Sequence, residues 1–354
     1  SGPIPAETMT AVHESDEMEL RVGRVGPDRP DDLEQRDKEA RAVVAAALKA
    51  SPERIVLTHG TPDGARQLVP ALLADARSET PRVVIVDGLR SDLAAAVAAA
   101  AAAAGASVDR IVAPPQLLPA DVAVLLMAHV DGHGRLTDPV PVAEAVHKAD
   151  ARLVLDASLS VGAVPTDVDM LRADVVISET RHWLLGPDAM AFAWFDPDLG
   201  NELPDRLRSA VGGFGRGALL GLARSVGWLL MYVELPWAVG RTGDLADRLY
   251  DDLAAIDGVE LVAEDRHGAL AAFHIRDWDA ESAADELGRS VFSIIDIDVE
   301  DDLVRASVGA WNREEELDRF VARVAELAEH TPATLPRKPS LTVISGPVET
   351  AEDE

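Results

Sequence analysis

Four side chains of different chemistry stand close together in the middle of the chain. Asp156 ends the apolar run 152–155, Ser178 ends the run 175–177, and Arg181-His182 follows in the next turn. Imidazole ionises near neutrality and suits proton transfer, a carboxylate can hold a protonated nitrogen, and a guanidinium forks onto carboxylate or phosphate. His182 and Asp156 are therefore the candidate catalytic pair. A second polar cluster, Ala128-His129-Val130-Asp131-Gly132-His133-Gly134, follows the apolar run 122–127. His129, Asp131 and His133 alternate, so they share one face if the loop is extended. Two imidazoles and a carboxylate suffice for a divalent metal, yet the spacing is no metal signature and no metal is expected. Gly60-Thr61-Pro62-Asp63-Gly64 is a turn opening a helix, where free N–H groups and the positive dipole end favour an anion. Pro62 withdraws one donor and Asp63 brings a negative charge, so a purely structural turn is the competing reading. Arg305, in the run 303–308, offers a fork for a carboxylate, or else pairs with a neighbour such as Asp301 or Asp302.

These residues need a scaffold that gathers strand ends. Short apolar runs at 53–57, 82–86, 122–127, 152–155, 175–177 and 191–195 alternate with helical patterns at 31–50, 65–74, 94–104 and 142–149. That alternation predicts an open, mainly parallel α/β sheet, which binds ligands at the carboxyl ends of its strands. A second set of runs, 259–262, 269–275 and 303–308, with helices over 280–287 and 314–328, predicts a smaller α+β domain. Asn312 and Glu315 fit a capping box before the last helix. The expected division is an amino-terminal segment (1–30), a large domain (31–235), a small domain (236–330) and an acidic, Pro-containing tail (331–354).

Two stretches carry a resemblance. The order Asp156-Ala157, Gly162-x-x-Pro165-x-Asp167, Ser178 and then Trp183-Leu184-x-Gly186-Pro187 resembles the class V aminotransferase superfamily of fold-type I pyridoxal-phosphate (PLP) enzymes. Cysteine desulfurases, isopenicillin N epimerase-like proteins and the C–S lyases of ergothioneine pathways belong there. Arg305-Ala306-Ser307 followed by Asn312-x-x-x-Glu316-Leu317 is similar to the same superfamily's carboxy-terminal signature. The resemblance implies that Asp156 pairs with the cofactor's pyridine nitrogen and that Thr61, with Ser178 or Arg181, holds its phosphate. It implies that the loop of His129 and Asp131 faces the substrate and that Arg305 clamps an α-carboxylate. It also implies a dimer, with the glycine-rich segment 212–217 crossing between subunits. In the superfamily the residue before the Trp is the lysine that forms the Schiff base; here it is His182. Leu159 stands where a glutamine would bond the cofactor's phenolic oxygen, and Leu89-Arg90 supply no aromatic ring to stack on it.

An internal aldimine needs a primary amine. The chain has four lysines, Lys38, Lys49, Lys148 and Lys338, none of them at a strand end in this region. No covalently held cofactor is expected. The leading expectation is a silent homologue that pairs with itself or with a lysine-containing paralogue. One alternative holds PLP or pyridoxamine phosphate without a covalent link, with His182 as general base. Another is a cofactor-independent acid–base enzyme acting on an amino acid-like ligand. Among 354 residues, 62 are acidic and 33 basic, for a net charge of -29. That balance opposes nucleic-acid backbones and anionic membrane surfaces. There is no cysteine, and no signal peptide or spanning helix is evident, so a cytoplasmic setting is expected.

Overall fold

The structure is a computed structural model that describes residues 2–263, 266–291 and 296–336. Residues 337–354, and with them Lys338 and most of the expected tail, lie outside the described residues. The larger sheet contains β1 (Ile55–Thr58), β2 (Arg82–Val86), β3 (Ser107–Ile111), β4 (Val122–Ala128), β5 (Arg152–Asp156), β6 (Val175–Glu179) and β7 (Ala191–Phe195). Their spatial order is β1-β7-β6-β5-β4-β2-β3. All neighbours pair in parallel except β7, which runs against both β6 and β1. β1 is thus parallel to β6, and its carboxyl end shares an edge with those of β2, β4, β5 and β6.

Both faces of this sheet are covered, which is why its central strands read as unbroken apolar runs. Leu57, Leu125 and Leu155 pack towards the helices Arg29–Ala47, Val140–Lys148 and Arg216–Trp228. Val56, Val124 and Val154 point the other way, to Thr61–Ala74, Ser91–Ala103 and Glu202–Ala210. The strand period of two turns one sequence run into two cores. The helix after β1 begins at Thr61, four residues before the helical pattern. Pro62 sits in its first turn, where a missing N–H costs nothing.

The smaller sheet is antiparallel throughout, with β8 (Val259–Leu261), β9 (Leu270–Ile275), β10 (Asp296–Asp298) and β11 (Leu303–Ser307) in the order β10-β11-β9-β8. β3 and β10 escape the hydrophobic pattern because both are polar edge strands. The cap of the helix Glu314–Ala328 falls one residue later than expected: Glu316 accepts from the Arg313 N–H, while Asn312 Oδ1 accepts from the Gly309 N–H. Among the described residues no single helix is long and apolar enough to cross a membrane, and Arg216–Val233 meets Leu235–Ala254 at 84°.

The two sheets meet at a seam. The Gly268 N–H donates to the Gly134 carbonyl (2.9 Å), and the Leu136 N–H donates to the Arg266 carbonyl (3.0 Å). Gly134 has φ +86°, and a Cβ there would lie 1.9 Å from the Leu270 carbonyl oxygen. Gly134→Ala is therefore expected to lose at least ~2 kcal/mol, from the forbidden conformation together with a backbone clash. A denaturant midpoint within error of the parent would refute this.

Candidate functional site

Five loops converge on the shared carboxyl edge: Gly60-Thr61 after β1, Asp87–Arg90 after β2, His129–Gly134 after β4, Asp156–Ser158 after β5 and Glu179–His182 after β6. Asp156 is buried at the end of β5. Its Oδ1 accepts from the N–H of Ser158 at 3.0 Å and from the Ser158 hydroxyl. The same hydroxyl accepts from the Glu179 N–H (3.0 Å), so the ends of β5 and β6 are tied through one serine. Burial pushes the Asp156 carboxyl above its usual range, opposed by the positive charge of Arg90 and the Ser158 bonds.

Glu179, which the sequence reading passed over, is the central group of the edge. Its carboxylate is buried, and Oε1 accepts from the Thr61 N–H (2.8 Å) and the Thr61 hydroxyl (2.9 Å). Arg90 Nη2 stands 3.4 Å from that oxygen and donates to Thr61 Oγ1 at 2.9 Å. The anion at the amino terminus of the helix Thr61–Ala74 is a side chain of the chain itself. Ser178 does not join it: its hydroxyl donates to the Glu179 (3.0 Å) and Ala157 (3.3 Å) carbonyls. The sequence did hold a signal, since a glutamate closing a fully buried strand must have partners.

His182 sits in a tight turn. Leu185 and Ala189 take positive φ (57° and 55°), a Cβ on Gly186 would meet Thr180 Oγ1 at 2.5 Å, and the Gly2 N–H reaches the Arg181 and His182 carbonyls, each at 3.1 Å. Trp183 anchors the turn by donating Nε1–H to the Val308 carbonyl (2.8 Å). Among the described residues nothing hydrogen-bonds His182 Nε2 or Arg181 Nε. Burial holds the His182 imidazole down at about 3, with the charges of Arg181 and Arg90 acting in the same direction. The three lysines of the described residues are elsewhere: Lys38 pairs with Glu34, Lys49 with Asp167, and Lys148 ends a helix at the opposite edge of the sheet.

Of the proposed substrate-side residues, Arg305 and Asp131 are engaged by protein partners. Arg305 pairs with Asp296 and Asp298 of the neighbouring β10, and not with the Asp301 or Asp302 considered from sequence. Asp131 Oδ1 accepts from the N–H groups of His133 and Arg135, both at 2.9 Å, and so shapes its own loop. His129 is buried with Nδ1 unbonded among the described residues. His133 Nε2 lies 2.7 Å from Asp301.

The model of the family "Aminotransferase class-V" matches residues 2–214. The chain belongs to the class-V aminotransferase family. A cysteine desulfurase of Frankia sp. (strain EuIK1) is 27% identical over 206 residues, 53% of this chain; the match spans about half of that relative, 48%. Among solved structures, the cystine C–S lyase C-DES in complex with its reaction product cysteine persulfide superposes with a TM-score of 0.81, covering 91% of this chain and 94% of that one at 15% identity. The cysteine desulfurase CsdA of Escherichia coli gives 0.77, covering 92% of each chain at 18% identity. At these identities the likeness is one of fold, and it matches the class-V reading of a large, mostly parallel seven-stranded sheet. PLP, when bound in such a fold, supplies an aldehyde for amines and an electron sink. In this class-V chain Asp156 is buried at the carboxyl end of β5, and the Thr61 N–H and hydroxyl are bonded to Glu179.

His129 gives a pH test. Burial lowers its pKa from 6.5 to about 4. The fold therefore keeps it neutral while the unfolded chain takes up a proton. Its contribution is complete above pH 6.5 and is lost as pH falls through about 4. Over that window wild type should lose up to about 1.4 kcal/mol per pH unit more than His129→Gln. Parallel stability–pH curves from chemical denaturation would contradict the assignment.

Proposed function

We propose that this class-V chain is catalytically silent in PLP chemistry: a degenerate aminotransferase or C–S lyase-like protein that forms no internal aldimine and acts as a subunit of a homodimer or of a heterodimer with a lysine-containing paralogue. What supports the reading is that no lysine of the described residues lies on the cleft edge, and that the resemblance sets His182 at the family's lysine position. A secondary or tertiary ring nitrogen cannot condense with an aldehyde to the neutral imine that a lysine gives.

The alternative with His182 as general base, acting on PLP or pyridoxamine phosphate held without a covalent bond, is weakened by the imidazole's own surroundings. A proton acceptor works best with a pKa near the operating pH, and burial keeps this one far below it. A cofactor-independent acid–base reading loses its anion clamp, because Arg305 is neutralised by Asp296 and Asp298. Both alternatives would use Asp156, buried at the end of β5.

Titration of the purified chain with PLP should give no saturable visible aldimine band, and borohydride treatment should fix no pyridoxyl group on a cleft peptide. Co-expression with a lysine-containing family member from the same source should yield a stoichiometric mixed dimer or leave a homodimer. A saturable band bleached by borohydride would remove the silent reading.

A further inference from the structure

We infer that Glu179 is a built-in oxyanion: its carboxylate fills the place at the Thr61 turn that a ligand's phosphate would need, so this edge rejects phosphorylated ligands. In locating the phosphate at that turn the inference rests on the class-V reading above, but it uses residues other than His182 and stands or falls separately.

Thr61 opens the helix Thr61–Ala74, and its N–H and hydroxyl both serve Glu179 Oε1, at 2.8 and 2.9 Å. Pro62, next along, has no N–H to give. The Gly64 N–H is committed to the Gly60 carbonyl (3.1 Å). Arg90, the cation of the turn, contacts Thr61 Oγ1, Glu179 and Asp92. A phosphate arriving here would meet a buried negative charge and would have to displace it from every one of these donors.

The pocket holding Glu179 is built for it. Its backbone N–H is bonded to Ser158 Oγ, its strand pairs on both sides, and its Oε1 lies against Gly60, 3.6 Å from where a Cβ there would stand. Charge and occupancy are both supplied by the same side chain, so they can be separated by substitution. Glu179→Gln removes the charge but keeps an acceptor in the turn. Glu179→Ser removes both and uncovers the Thr61 donors and Arg90.

The test is calorimetric titration with inorganic phosphate at constant ionic strength, backed by thermal stability in phosphate against chloride. Wild type should show no saturable phosphate binding. Glu179→Ser should bind phosphate at least about tenfold more tightly than wild type, with Glu179→Gln between them. If Glu179→Ser does not fold, the comparison of Glu179→Gln with wild type decides, and equal phosphate response would overturn the inference. Saturable phosphate binding by wild type would overturn it as well. Pyridoxal, which lacks the phosphate, separates the two proposals. Wild type that forms an aldimine with pyridoxal but not with PLP defeats the silent reading and leaves Glu179's role intact, whereas phosphate binding without an aldimine does the reverse.

Discussion

Ala191 is paired with Glu179 on one side and with Thr58 on the other. This double register, made by the one strand that runs against its neighbours, is the constraint on which the candidate site depends. It sets the ends of β6 and β1 at the same height, two strand spacings or roughly 10 Å apart. The helix turn at Thr61 folds back over that gap and brings its N–H and hydroxyl to the Glu179 carboxylate. A shift of one residue in β7 would offset β1 against β6 and carry the Thr61 turn away from Glu179.

The electrostatics of the edge follow from that placement. Two carboxyl groups, Asp156 and Glu179, lie buried within one network joined by Ser158, with Arg90 as the nearby cation that acts on both. The same guanidinium, together with Arg181 and burial, keeps His182 uncharged. The donors of the Thr61 turn are taken by Glu179, and further out Arg305 is matched by Asp296 and Asp298.

Much of this was legible in the residues. Asp156 and Ser178 announce themselves because they close apolar runs, with Arg181-His182 in the turn that follows, and the strand–helix alternation fixes which edge they share. Glu179 was not legible as a partner of Thr61: the two are 118 positions apart, and only the reversed β7 brings them together. Arg305 was correctly seen as a residue with competing acidic neighbours, but the wrong ones. Asp296 and Asp298 belong to a three-residue edge strand whose Asp-Ile-Asp pattern carries no strand signal. β3 was missed for the same reason, since a solvent-facing edge needs no apolar side chains. Sequence patterns report burial well, and they report long-range pairing between polar groups poorly.

The indole of Trp183 follows His182 directly and is bonded to Val308 at the end of β11. That bond works as a tether. Any swing of the smaller sheet away from the larger one must either break it or drag the His182 peptide along. Hinge motion in this molecule would therefore be felt first at the imidazole, so the nitrogen environment of His182 is a natural reporter of how far the two lobes have opened.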